Sequence, residues 1–154
     1  PFDRLVTPER IVARHEARSL DDVLHTLSVL ASRDFTDIEP DRYAAALVER
    51  ESLAPTTIGR GIAIPHVREV ETNPRNSLRL YLLTTGRPVS HGGKDCSVVW
   101  LVCTDDLVLH LRIIQKISYL AKQQFVAEAL VENDAPEGVV ATLIEYERSI
   151  RDGE

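Results

Sequence analysis

Residues 97–103, SVVWLVC, form a continuous apolar run of strand length, set between the turn-forming HGGKD (91–95) and the polar TDD (104–106). Side chains alternate across a strand, so a run that is apolar at every position cannot leave one face in water. It reads as a central strand covered on both sides, and the rest of the chain must supply those covers.

Amphipathic helices are present to do so. Ser19 stands as an N-cap with Asp22 three residues later, ahead of Leu20, Val23, Leu24, Leu27, Leu30 and Ala31 at helical spacing, which predicts a helix over 20–33. A second helix runs from Pro40, a good first-turn residue, through Tyr43, Ala44, Leu47 and Val48 to Glu51. A long one follows at 106–123, with Leu107, Leu111, Ile114, Ile117 and Leu120/Ala121 expected on its inner face. Residues 125–132 are short and helical. Asp134 is the expected cap of a last helix, with Pro136 in its first turn, Glu137 at the capping-box position, and Val140, Leu143, Ile144 and Ile150 along it.

Further strands come from residues 10–17, with Ile11 and Val12 as apolar content, and from 77–84, where Leu78, Leu80 and Leu82 alternate with Arg79, Tyr81 and Leu83. Gly86 and Pro88 are expected to turn the chain after it. The order of elements predicts an α/β fold, a mixed β-sheet flanked by helices on both faces, as one domain over 1–154.

Composition narrows the function classes. The chain has 154 residues, 44% hydrophobic and 27% charged, with a formal charge of −6. That composition is globular, and the acidity weighs against nucleic acid as a partner, because phosphate binding needs a basic face. The two cysteines, Cys96 and Cys103, lack metal-ligand spacing and read as buried thiols. No apolar stretch reaches the ~18 residues of a membrane span and no signal peptide opens the chain, so a soluble cytoplasmic domain without membrane insertion is expected. The absence of methionine and the start at Pro1 fit either removal of an initiator or excision from a longer protein.

Chemistry concentrates between Glu49 and Arg68. Pro55, Gly59, Gly61 and Pro65 surround an Ile-Ala-Ile tripeptide that delivers His66 to the end of a short strand. This is more glycine and polar detail than a connection requires. Histidine is neutral and nucleophilic near pH 7, glycines let backbone N–H groups approach an anion, and Arg50 and Arg60 supply charge-assisted donors.

The run ERESLAPTTIGRGIAIPH (49–66) resembles the active-site signature of the enzyme IIA domains of the phosphoenolpyruvate-dependent sugar phosphotransferase system, fructose/mannitol type, which includes the nitrogen-regulatory enzyme IIA. The matching residues are Arg50, Glu51, Thr57, Ile58, Gly59, Gly61, Ile62, Ala63, Ile64, Pro65 and His66. The resemblance extends along nearly the whole chain and places His110, at the start of the long helix, where the family often has a second histidine. It implies that His66 is the phosphoacceptor, attacking through Nε2 while a backbone carbonyl holds the other ring nitrogen. His110 would hydrogen-bond the transferred group, Arg50 would pair with its oxygens, and Thr57, Gly59, Gly61, Pro65 and Val67 would shape the pocket. The implied partners are the histidine-containing phosphocarrier protein and an enzyme IIB domain or a regulatory target, with no cofactor and no metal.

Two departures from the family pattern stand out. Val67 replaces the small residue usual after the phosphoacceptor, and its bulk is expected to narrow the approach to His66. The segment between the apolar strand and His110 is short. His15, His25 and His91 match nothing in the signature and are expected at the surface. Two other readings remain: a non-catalytic regulatory module with the same fold, and a metal site using His66, His110 and a nearby carboxylate, which lacks ligand spacing.

Overall fold

The computed structural model describes residues 1–58, 60–67 and 78–153. Its elements are α1 (Phe2–Leu5), a 3-10 turn (Pro8–Arg10), β1 (Ile11–His15), α2 (Leu20–Asp34), α3 (Pro40–Leu53), β2 (Ile62–Ala63), β3 (Leu78–His91), β4 (Lys94–Thr104), α4 (Leu107–Ala121), α5 (Val126–Val131) and α6 (Pro136–Asp152). The sheet order is β1-β3-β4-β2. β3 and β4 are an antiparallel hairpin with Leu82 opposite Trp100 and Leu83 opposite Val99. β1 joins β3 in parallel and β2 joins β4 in parallel, so the sheet is mixed.

β4 is buried on both faces, as its unbroken apolar run requires. Val98, Trp100 and Val102 meet Phe2, Ile113, Ile117, Leu120, Leu130 and Leu143 on the side of α1, α4, α5 and α6. Val99, Leu101 and Cys103 meet Val23, Leu24, Leu27, Tyr43 and Leu47 on the side of α2 and α3. Both helices of the second layer start on side-chain caps. The Ser19 hydroxyl accepts from Asp22 N at 3.2 Å, and the Glu39 carboxylate accepts from Asp41 N and Arg42 N.

Several expectations change in the structure. Gly86 and Pro88 do not turn the chain: β3 runs on to His91, and the ladder with β4 is irregular between Thr84 and Val89. An irregular stretch tolerates proline because no ladder N–H is needed there. The reversal comes at Gly92 and Gly93, both at positive φ (59° and 79°), as a two-residue hairpin turn demands. Ser77, the first residue of the expected strand, lies outside the described residues.

The inner face of α4 is also rotated. His110, Ile113, Ile117, Leu120 and Ala121 are buried, whereas Leu107 and Leu111 are exposed. Two overlapping apolar stripes fit the same helical spacing, and only packing against β4 selects one. Asp134 does not cap α6. The N-cap is Ala135, which puts Asp134 one residue too early to reach the first-turn N–H groups, and its carboxylate lies 3.5 Å from Arg14 Nε instead. Among the three remaining histidines, His25 is exposed beside Asp41, but His15 and His91 are half-buried.

Both thiols are buried. Cys103 Sγ lies 3.3 Å from the Tyr43 hydroxyl. Desolvation pushes Cys103 up to about 12, against a small opposing effect of Tyr43, and pushes Cys96 up to about 11. Because the folded values exceed those of the unfolded chain, this stability is present below about pH 8.5 and is lost as pH rises toward the folded values. Alkaline titration should therefore show thiolate absorbance appearing only with unfolding, and a thiol reagent at pH 8 should label neither cysteine in the native protein. The rotated α4 face is tested by urea unfolding: Ile117→Ala should cost about 2–5 kcal/mol and Leu111→Ala within about 0.5 kcal/mol.

Candidate functional site

The site is built on a loop folded back on itself after α3. Ile58 N donates to Ile62 O at 2.9 Å and Thr57 pairs with Ala63 in a single antiparallel bridge, so 56–58 and 62–64 form a miniature hairpin. Gly61 sits at φ +79° at its tip, where a Cβ would be strained and would press on Ser97 Oγ at 3.3 Å. Its carbonyl accepts from Ser97 N and Val98 N at 2.8 and 3.1 Å, which fastens the hairpin to β4. Arg60 donates through Nη1 to Lys122 O at 2.8 Å, tying the tip to the end of α4 rather than offering a free donor. Gly59 lies outside the described residues.

Beneath the hairpin is Glu51, 2% exposed in the last turn of α3. Its carboxylate accepts from Thr56 N at 3.0 Å and from the Thr56 hydroxyl. Thr56 Oγ1 in turn accepts from Ile64 N at 3.2 Å. Ile64 O lies 2.9 Å from His66 Nδ1. A carbonyl can only accept, so Nδ1 carries the proton and Nε2 is the unprotonated nitrogen of a neutral ring. One connected path of hydrogen bonds and backbone thus runs from a buried carboxylate to the tautomer of His66. Glu51 belongs to the sequence signature, but its part in the site was not legible there. The available signal was electrostatic: a carboxylate in the last turn of a helix opposes the macrodipole, so it needs other partners.

His66 pairs with Val102 of β4 in a parallel bridge and is 8% exposed. The ring of His110 meets it edge-on, with centroids 4.6 Å apart and planes at 65°. His110 occupies the first turn of α4, whose N-cap Asp106 accepts from Val108 N and Leu109 N at 2.9 and 3.1 Å. Thr57 Oγ1 is buried and has no hydrogen-bond partner among the described residues. Pro65 is buried between the hairpin and His66. Outside this shell Leu107, Val108 and Leu111 are exposed along α4, with Ile58 on the loop.

The structure therefore brings His66 and His110 together. Arg50 is engaged with its own helix end, donating through Nη1 to Ala54 O at 2.9 Å. Val67 differs from the expectation. It is 6% exposed and packs with the core on the α2/α3 side, so its isopropyl group does not stand on the approach to His66. Successive residues of an extended segment face opposite ways, which sends Val67 inward when His66 faces the site. Among the described residues, no group of three histidine, cysteine, aspartate or glutamate side chains could hold a metal ion.

Long-range proton–nitrogen spectra of the imidazoles should show His66 in the Nδ1–H tautomer when the ring is neutral. Glu51→Ala leaves the Thr56 donors without their acceptor and should cost about 1–3 kcal/mol in urea unfolding. It should also shift the His66 resonances, whereas Glu49→Ala should do neither.

Comparison with known proteins agrees with this geometry. The family described as "Phosphoenolpyruvate-dependent sugar phosphotransferase system, EIIA 2" matches residues 4–146. A multiphosphoryl transfer protein of Xanthomonas campestris pv. campestris is 28% identical over 140 residues, covering 90% of this chain but only 16% of its own length. The mannitol-specific phosphotransferase enzyme IIA component of Halalkalibacterium halodurans is 26% identical over 140 residues, 90% of this chain and 94% of that protein. Among solved structures, the nitrogen regulatory protein IIA-Ntr of Neisseria meningitidis superposes with a TM-score of 0.79 at 23% identity, over 92% of this chain and 98% of the other. Helical layers on both faces of a mixed sheet, a hairpin turned at a positive-φ glycine and an edge-on histidine pair thus fall in a chain whose sequence matches one family over most of its length, and it belongs to the EIIA 2 family of the phosphoenolpyruvate-dependent sugar phosphotransferase system.

Proposed function

We propose that this chain is a cytoplasmic phosphocarrier in which His66 accepts a phosphoryl group from the histidine-containing phosphocarrier protein and hands it to an enzyme IIB domain or a regulatory target. The observation that supports it most is the 2.9 Å contact of Nδ1 with Ile64 O, because it leaves Nε2 as the nucleophile before any partner arrives.

Transfer of this kind asks mainly for positioning and charge stabilisation. The Nε2 lone pair attacks phosphorus, the bond from phosphorus to the donor nitrogen breaks, and the electron pair leaves with that donor ring. His66 becomes a phosphorylated imidazolium whose Nδ1–H still donates to Ile64 O, so the carbonyl dipole stabilises the positive ring that forms. In this reading His110, whose ring meets that of His66 edge-on at 4.6 Å between centroids, donates to the phosphoryl oxygens. The buried Thr57 hydroxyl, which has no hydrogen-bond partner among the described residues, is a further donor. Arg50 reaches the group by exchanging its bond to Ala54 O for one to a phosphoryl oxygen. The exposed Leu107, Val108 and Leu111 surround the histidine pair with apolar surface that a partner protein can cover.

The test is phosphorylation from phosphoenolpyruvate with enzyme I and the phosphocarrier protein, followed by intact mass at high pH. Wild type should gain one unit of ~80 Da, stable in alkali and lost in mild acid. His66→Ala should gain none. Arg50→Ala and His110→Ala should slow the gain by up to about 100- to 1,000-fold, the effect of losing one transition-state donor, without abolishing it. A wild type that never gains the unit from a cognate donor overturns the phosphocarrier reading in favour of a non-catalytic regulatory module. A gain that persists in His66→Ala overturns the choice of nucleophile.

A further inference from the structure

A cavity of about 640 Å³ opens on the α1/α4/α6 side, away from the His66 loop along α4. Phe2, Leu120 and Ile150 form its apolar floor, with the ring of Tyr119, half exposed, at its edge. Arg112, Lys116 and Arg151 line it as well, and a smaller cavity of about 220 Å³ that shares Glu147 and Arg151 adds Arg4 and Arg148. Five cations around two adjoining cavities are an unusual concentration in a chain of net charge −6.

The one carboxylate that lines both cavities is already engaged. Glu147 Oε2 lies 2.6 Å from Lys116 Nζ, and Oε1 accepts from Phe2 N at 3.1 Å. Lys116 Nζ also sits 4.7 Å from the centroid of the Phe2 ring. This cluster builds and stiffens the floor: it locks α1 to α6 and consumes the charge of Lys116. Burial would raise the Glu147 carboxyl, but the Lys116 and Phe2 contacts outweigh it and hold the group below its ordinary value, so the floor keeps its ion pair at neutral pH. The side chains of Arg4, Arg112 and Arg148 make no hydrogen bond or ion pair among the described residues, and the Arg151 guanidinium has only Asp152, at 4.0 Å. The rim therefore presents guanidinium groups with unused donors above an apolar floor.

We infer that this cavity binds an amphipathic small-molecule anion, an apolar body with one carboxylate, sulfonate or phosphate group. The volume is that of a small-molecule pocket, and apolar walls with a few convergent charged groups are the usual composition of one. Guanidinium forks suit planar or tetrahedral oxyanions, and the apolar floor gives the ligand's body its burial. The cavity is broadly open to solvent, and its volume and the pairing of an apolar floor with exposed guanidinium groups fit a small amphipathic anion. The proposal does not rest on the phosphocarrier reading, and its test uses no phosphoryl donor.

The probe is 8-anilinonaphthalene-1-sulfonate, with the neutral N-phenyl-1-naphthylamine as its uncharged counterpart and decanoate as a non-fluorescent competitor. Wild type should bind the sulfonate saturably at one site and release it to decanoate. Backbone amide shifts should change for residues 112–120 and 147–151 and stay still around His66. The double charge reversal Arg112→Glu/Arg151→Glu should weaken the sulfonate at least about tenfold, the loss expected for charge-assisted bonds, while leaving the neutral probe and the melting temperature unchanged. The milder Arg112→Gln/Arg151→Gln should fall between. Non-saturable binding, shifts centred elsewhere, or sulfonate affinity indifferent to both double variants would overturn the site. Equal weakening of both probes would also overturn it, because the guanidinium groups would then be wall and not anion receptor.

Discussion

β4 is the element on which everything else in this protein leans. Both helical layers meet its two faces at full depth, with Trp100 among one set of side chains and Leu101 among the other, and β3 beside it shares the same two cores through Leu80, Leu82, Tyr81 and Leu83. β4 also anchors the loop that holds His66. Ser97 N and Val98 N bond to Gly61 O near its beginning, and Val102 pairs with His66 near its end. The strand that cannot be exposed to water is thus the strand against which the histidine is registered. Displacement of that loop would break hydrogen bonds to a strand that has no freedom to follow, which is how a core element lends precision to a surface site.

The orientation of His66 has a second support from below. Glu51 is a carboxylate with almost no exposure, and burial of such a group is unfavourable unless its oxygens are occupied. They are occupied by Thr56, which passes the constraint to Ile64 and so to the imidazole. The hairpin turn of β3 and β4 closes on the same region. Gly92 lies against Pro55, so close that an added Cβ would come within 3.1 Å of Pro55 Cγ, and His91 Nε2 stands 3.5 Å from Glu51 Oε2. The histidine pair, the exposed apolar residues on α4 and the buried carboxylate are therefore parts of one arrangement.

Much of this was legible in the residues. The apolar run at 97–103, the Ser19 cap and the Leu20–Ala31 stripe are local signals whose meaning does not depend on what they touch, and each corresponds to an element in the structure. The signature ending at His66 was equally local, because a glycine at positive φ and a proline beside the histidine are backbone requirements written directly as residue types. Less legible were choices between near-equal alternatives. α4 offers two apolar stripes, and the one through Ile113 and Ile117 is inside because it meets Val98 and Trp100. Gly86 and Pro88 carry turn chemistry, yet the strand continues through them because β4 runs alongside on both sides of the irregularity.

What the sequence determined by itself was the set of layers, the central strand and the signature that ends at His66, since periodicity, capping and glycine placement act over a few residues. What only the tertiary structure decided was how those pieces face each other. Val67 turns into the α2/α3 core because its neighbour is held against β4. Arg50 closes the end of α3, and Arg60 reaches across 62 positions to Lys122 O. The proton of His66 lies on Nδ1 because Ile64 O is there to receive it. The placements of Val67 and Arg60 depend on distances between segments remote in the chain, and the local contact of His66 with Ile64 sits in a segment registered against Val102, so no short-range pattern of residue types encodes them.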